Sequence, residues 1–402
     1  DNGREQFEEV QSVQGEQFTP ETELGLGPRF NLDSCGGCHS HPAIGGTSPV
    51  ENPQVEVAKK EGANNEIPSF IKIDGPVREA RFKSHPDGTP DGGVHALFTI
   101  TGRKDAPGCF LQQPDFRTAT ARQNVVFRIP TPVFGAGLIE AIDDDALLAN
   151  LTANSARKQG LGIRGRANMK GRPNTSGNDG TVTRFGWKAQ NKSLEIFSGE
   201  AYNVEQGITS EMFPQERDEA PACRFNPTPE SLTRYEAVNP LDVPSDVVKF
   251  AVFMRFLAPP TPAPDTDTIV RGRKLFEDVG CAMCHTPTLR TGKASVGALQ
   301  NKDVNLYSDL MLHNMGPGLA DDVSQGNAGG DEFRTAPLWG LGKRIFFLHD
   351  GRTKDLLEAI QAHAGSGGGQ QYVPSEANQV VGQFNRLNEI DKQHMLNFLR
   401  AL

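Results

Sequence analysis

Two copies of one pentapeptide constrain this chain more than anything else in it: "CGGCH" at 35–39 and "CAMCH" at 281–285. C-x-x-C spacing admits three readings: a zinc clip, a dithiol redox centre or a haem anchor. A four-thiolate zinc site built from both pairs leaves the two following histidines as coincidences. A thioredoxin-like dithiol needs a βαβ context that the surrounding sequence lacks. C-x-x-C-H accounts for every residue. Two thiols add to the two vinyl groups of a porphyrin, and the adjacent histidine reaches the iron. Adjacency selects His39 over the neighbouring His41. The expected cofactor is therefore two covalently bound haem c groups, held by Cys35, Cys38 and His39 and by Cys281, Cys284 and His285.

Covalent haem attachment normally occurs outside the cytoplasm, so the expected location is periplasmic. The chain begins at Asp1, consistent with a removed export signal or a fragment boundary. Of six cysteines, Cys109 and Cys223 remain. In an oxidising compartment they can form a disulfide, and otherwise they are two buried thiols.

Composition narrows the partners. Forty-one Lys and Arg against 50 Asp and Glu give a net charge of −9. That argues against nucleic acid and suits a basic protein partner such as a small cytochrome. No apolar run reaches the roughly 18 residues of a membrane span. With 402 residues, two or three domains are expected. The 43 Gly and 28 Pro imply long irregular segments between helices.

The strongest punctuation is "LAPPTPAPDTD", 257–267, where proline density favours an extended linker. Before it, 245–257 has helical periodicity with Ser245 as the cap. After it, "DTIVRGRKLFEDVGCAMCH" reads as a helix running into the second anchor. Ile390, Leu396, Phe398, Leu399 and Leu402 fit an amphipathic C-terminal helix. Short strands are expected within 95–102 and 124–130, and 151–230 is polar and weakly periodic. The expected fold is mainly α with long irregular loops and a few short strands. It comprises two cytochrome c-like domains, each with a covalently bound haem: an embellished one over 1–257 and a second over 258–402.

The distal ligand decides whether an iron transfers electrons or binds a small molecule. In "FLHDGRTKDLLEAIQAHAG", Thr353 can cap a helix through 354–364. Leu356, Ile360 and His363 then share its apolar face. His313, Met311, Met315 and His349 compete for the same role.

The paired anchors and "LHDGR…LLEAI" resemble the bacterial di-haem cytochrome c peroxidases and MauG, which matures a tryptophan-derived cofactor. In those relatives the distal ligand of the C-terminal haem follows the His of His-Asp-Gly by 14 residues. Here that residue is His363, which implies a His/His electron-transfer haem. "LGPRFNLDSCGGCH", "RIPTPVFGAGLIEAI", "RFGWKAQ", "YSDLMLHNMGPGLAD" and "EFRTAPLWGLGKR" are similar to the di-haem oxidoreductase, putative peroxidase family, also called thiol oxidoreductase-like. The rubber-cleaving di-haem oxygenases share its plan.

At the first haem, the position where cytochrome peroxidases supply a switching histidine holds Val55. His85 and His95 are alternatives, but an open site is the preferred reading. "PVFGAGLIEAI" then takes the place of the relatives' distal segment. Phe134 would cap the iron face and Glu140 would shuttle protons. The plainer alternative makes Glu140 a hydrogen-bonded structural carboxylate. The relatives' bridging tryptophan has no aligned counterpart, leaving Trp187 and Trp339 as candidates. Their calcium-binding Thr-x-Pro segment corresponds to Arg344–Phe346, a departure that puts calcium in question.

The expected function is a periplasmic di-haem c-type oxidoreductase that reduces hydrogen peroxide at the N-terminal haem. Electrons would come through the C-terminal haem from a small cytochrome c or cupredoxin. The alternatives are an oxygenase or oxidase of an organic or protein substrate, and an electron-transfer cytochrome without further chemistry.

Overall fold

The computed structural model describes residues 2–14, 25–169, 181–366 and 372–402. Within these, helices dominate and strands are short, two to four residues each, forming two-stranded antiparallel pairs. Within the polar stretch 151–230, residues 170–180 lie outside the described residues.

The chain forms two compact units, and neither is continuous in sequence. The first comprises Asp1–Val133, Glu195–Met254 and His349–Gly351. The second comprises Phe134–Leu194, Arg255–Leu348 and Arg352–Leu402. Residues 134–194 thus sit with the C-terminal segments rather than with the first haem motif.

The first unit is built around Phe30, Leu97, Phe98, Ile100 and Val57, with Cys38 in the same cluster. Both strands of the expected 95–102 and 124–130 regions occur. Phe98–Thr99 pairs with Arg29–Phe30, and Val125–Arg128 pairs with Glu79–Phe82. Cys109 and Cys223 are joined as a disulfide inside this core.

In the second unit, helix Asp267–Val279 packs on helix Glu389–Ala401. Thr266 caps the first of these, its side chain accepting from Ile269 N–H. The helix stops at Gly280, whose φ of 105° is left-handed, so Cys281–Met283 forms a separate 3₁₀ turn. The helix therefore delivers the anchor but does not include it. Gly272 lets the two helices approach closely. A Cβ there would lie 2.1 Å from the carbonyl oxygen of His394.

Two other expectations need correction. Ile390 is 70% exposed, whereas Phe398 and Leu399 of the expected face are buried, together with Met395. The helix before His363 spans Leu356–Ala362, and Asp355 caps it by accepting from Leu357 and Glu358 N–H. Asp355, two residues beyond Thr353, brings one carboxylate oxygen, Oδ1, to both first-turn donors and wins the cap. Thr353 binds the Glu358 side chain instead. The proline-rich 257–267 run has no regular structure before Asp267, but it is pinned. Gly135 N–H donates to Leu257 O at 2.9 Å and Ala263 N–H to Ala401 O at 2.8 Å.

Candidate haem centres

The first anchor is one short helical turn, Cys35–Cys38, opened by Ser34, whose hydroxyl accepts from Gly37 N–H at 3.4 Å. Backbone pairing of His41 with Thr47 closes the following loop. The closed loop brings the Gly46 carbonyl to His39. His39 Nδ1–H donates to that oxygen at 3.1 Å. Burial lowers the His39 pKa to about 4, against the carbonyls of Gly46 and Thr131. The ring is thus neutral, and with Nδ1 donating to a carbonyl its Nε2 carries the lone pair that a metal would take. Phe7 lies beside it, ring centroids 5.9 Å apart.

Cys35 receives a hydrogen bond from Gln206 Nε2 at 3.1 Å, and burial pushes its thiol up to about 12. Cys281 is pushed equally, to about 12, also by burial.

The second anchor repeats the arrangement. His285 Nδ1–H donates to the Tyr307 carbonyl at 3.0 Å. Burial, then the neighbouring His363, lowers its pKa to about 4. His363 ends its helix, and its Nδ1–H donates to Ala359 O at 2.7 Å. The two rings face each other with centroids 6.5 Å apart, planes inclined by 58°. Two metal–nitrogen bonds of about 2 Å, each extended by about 1 Å to a ring centre, span about 6 Å. The donors therefore fit one iron between two neutral imidazoles. Cys281 and Cys284 pack in the same core cluster as Leu338, Leu341, Ile360 and Phe347.

The rival ligand His313 is otherwise engaged. Its Nε2 lies 2.9 Å from Asp309 Oδ2, and its Nδ1 lies 2.9 Å from Glu376 Oε2. His85 and His95 gather at Asp91, His95 Nε2 at 2.8 Å and His85 Nδ1 at 3.4 Å. Both line a cavity of about 810 Å³ that Arg29 and Arg217 also border. His95 stacks on Phe82 there, 3.9 Å between centroids.

Phe134 and Glu140 both fall in the second compact unit, not the first. Glu140 is held from two sides. Arg255 Nε donates to its Oε2 at 2.7 Å, and Leu194 N–H to its Oε1 at 2.9 Å. Phe134 is buried. At Gly135, φ is 66° and a Cβ would come 2.6 Å from the Trp339 ring, so this turn requires glycine. Trp187 contributes its carbonyl, which accepts from Arg334 N–H at 2.9 Å.

The family model described as "Di-haem oxidoreductase, putative peroxidase" matches residues 78–402. The chain belongs to this family. Membership of the di-haem oxidoreductases establishes the class of chemistry, haem-based redox with two haems. The first C-x-x-C-H lies ahead of the matched region.

No curated protein sequence matches this di-haem oxidoreductase. Several solved structures resemble it, three of them as follows. Hydrazine synthase of Kuenenia stuttgartiensis is 20% identical, with a TM-score of 0.26 over 41% of this chain and 56% of that one. A MauG-like protein associated with microbial copper homeostasis is 18% identical, with a TM-score of 0.35 over 68% and 90%. The di-haem peroxidase BthA of Burkholderia thailandensis is 16% identical, with a TM-score of 0.33 over 55% and 65%.

Sequence reasoning missed the carbonyls of Gly46, Tyr307 and Ala359 that aim the imidazoles. No side-chain signal marks them, because any residue supplies the same oxygen. It also missed Arg334 and Arg344, whose importance depends on what surrounds them.

Proposed function

We propose that this di-haem oxidoreductase is periplasmic and carries two c-type haems, and that it reduces hydrogen peroxide at the centre of Cys35, Cys38 and His39. Electrons would be delivered through the centre of Cys281, Cys284, His285 and His363 from a small cytochrome c or cupredoxin. The facing pair His285 and His363 carries this reading. Two neutral, carbonyl-anchored imidazoles suit a closed, electron-transferring iron, which assigns the substrate chemistry to His39. When bound, the haems supply one-electron transfer at the closed centre and cleavage of the peroxide O–O bond at the other.

The overall conversion takes one peroxide, two electrons and two protons to two waters. Glu140 is assigned the proton-transfer role. Arg255 and Leu194 N–H donate to its two carboxylate oxygens, so a structural role is the rival that the Glu140→Gln measurement tests. Phe134 is assigned the capping role at the iron that the resemblance implies. The Cys109–Cys223 disulfide supports an oxidising compartment.

The test is spectroscopic and kinetic. The holoprotein should show one low-spin haem with two histidine ligands and one haem that changes when peroxide is added to the half-reduced protein. Reduced donor should then be oxidised. His363→Ala should convert the low-spin signal, and Glu140→Gln should slow turnover by roughly 100-fold or more. Two low-spin, peroxide-inert haems would leave an electron-transfer protein. A stable dioxygen adduct without donor oxidation would leave an oxygenase.

A further inference from the structure

Arg334 and Arg344 are cations without counter-ions. Arg334 is 8% exposed, and its Nε donates to the Gly186 carbonyl at 2.9 Å. Arg344 is half-buried. One of its terminal nitrogens donates to Pro337 O at 2.8 Å, while its Nε is shielded from solvent and has no partner. Among the described residues, no carboxylate stands within ion-pair distance of either. Each is lowered to about 10 by burial, and Arg334 is lowered further by Arg344 itself. Two guanidinium groups that repel each other in a poorly solvated place are costly unless an anion joins them. Planar forks of N–H donors match carboxylates best.

Their place in the fold says which anion. The residues after Arg334 run alongside the segment that holds His285. Thr335 N–H donates to Met311 O at 2.9 Å, and Leu338 N–H to Leu306 O at 3.0 Å. Ser308 Oγ donates to Thr335 O at 2.6 Å. Within that segment, Tyr307 supplies the carbonyl that orients His285. On either side of Arg344, Leu341 and Phe347 pack in the cluster that contains Cys281 and Cys284. The two unneutralised cations therefore border the second centre.

We propose that Arg334 and Arg344 form the carboxylate-binding site of this centre and take the propionates of its haem. The assignment rests on the reading of Cys281, Cys284 and His285 as a haem anchor. In that position two cations favour the ferrous over the ferric state and keep the propionates ionised. A free anion such as phosphate presents the same chemistry, and the test separates the two.

The experiment uses the matured full chain. Haem content is read by the pyridine haemochrome, and each haem's midpoint potential by spectroelectrochemistry at its own band. Arg334→Gln and Arg344→Gln should each keep two haems. Each should raise the ferric-to-ferrous ratio of the second haem about tenfold at fixed applied potential, about 59 mV for a one-electron couple. Arg344→Lys should restore most of the shift. In the unmodified protein, the second haem's potential should be flat between about pH 5 and 8, because the propionates do not titrate there. That measurement holds even if a variant fails to accumulate. Unmoved potentials, or a shift confined to the first haem, overturn the arginine assignment and leave the anchor reading intact. So does a strongly pH-dependent wild-type potential, or one that moves when phosphate replaces another salt at constant ionic strength. Absence of haem on Cys281 and Cys284 overturns both.

Discussion

Carbonyl oxygens, not carboxylates, steer all three imidazoles of the two centres: Gly46 for His39, Tyr307 for His285 and Ala359 for His363. A neutral acceptor fixes the tautomer without drawing the ring toward imidazolate, so ligand strength stays ordinary. Elsewhere buried carboxyls set a pH response, Glu230 among them. Glu230 is 6% exposed, and burial raises it from 4.5 to about 7, against donation from Thr209 N–H. The native state then binds this proton more tightly than the unfolded chain does. Stability contributed by the protonated form is full below about pH 4.5 and declines as pH rises toward 7. Glu230→Gln should flatten that decline, by up to a few kcal/mol at pH 8. Denaturant titrations of both proteins from acid to neutral pH measure it. A parallel decline in the variant rejects the assignment.

At the scale of elements, the contact between helices Asp267–Val279 and Glu389–Ala401 is set by the absence of one side chain. Gly272→Ala would push a methyl into the His394 carbonyl, whose helix cannot yield locally. It should cost about 1–3 kcal/mol by overpacking, seen as a lower denaturant midpoint with unchanged slope. Equal midpoints would mean that the helices separate freely. The two helices were legible in sequence because their periodicity is local. Register within the last helix was less so. Ile390 fits the apolar pattern yet faces solvent, since one turn at a helix start can point past its partner. The C-x-x-C-H turns were legible as candidate anchors, because the motif is five consecutive residues. Arg334 and Arg344 were not, because an uncompensated cation is recognised only by the neighbours it lacks.

Over the whole molecule, the Cys109–Cys223 bridge ties together positions 114 residues apart within the first unit's core. In the chain-entropy description a loop of that size stabilises by about 4–5 kcal/mol. Cys109→Ser with Cys223→Ser should lose most of that in equilibrium unfolding of the holoprotein. A loss below about 1 kcal/mol would show that the core holds without it. The placement of residues 134–194 with the C-terminal segments could not be read from sequence. It depends on contacts between stretches separated by more than a hundred residues, for which composition and periodicity carry no mark.

That interleaving has a bearing on the order of events as the chain is made. The first unit includes His349–Gly351, with Ile129 N–H bonded to the His349 carbonyl at 2.8 Å. The second requires residues through 402. The buried cluster around Cys38 nonetheless draws on residues 13–225 alone, whereas the one that includes Cys281 and Cys284 runs from Leu161 to Leu402. The residues that enclose the first pair of cysteines are therefore all made before the second pair emerges.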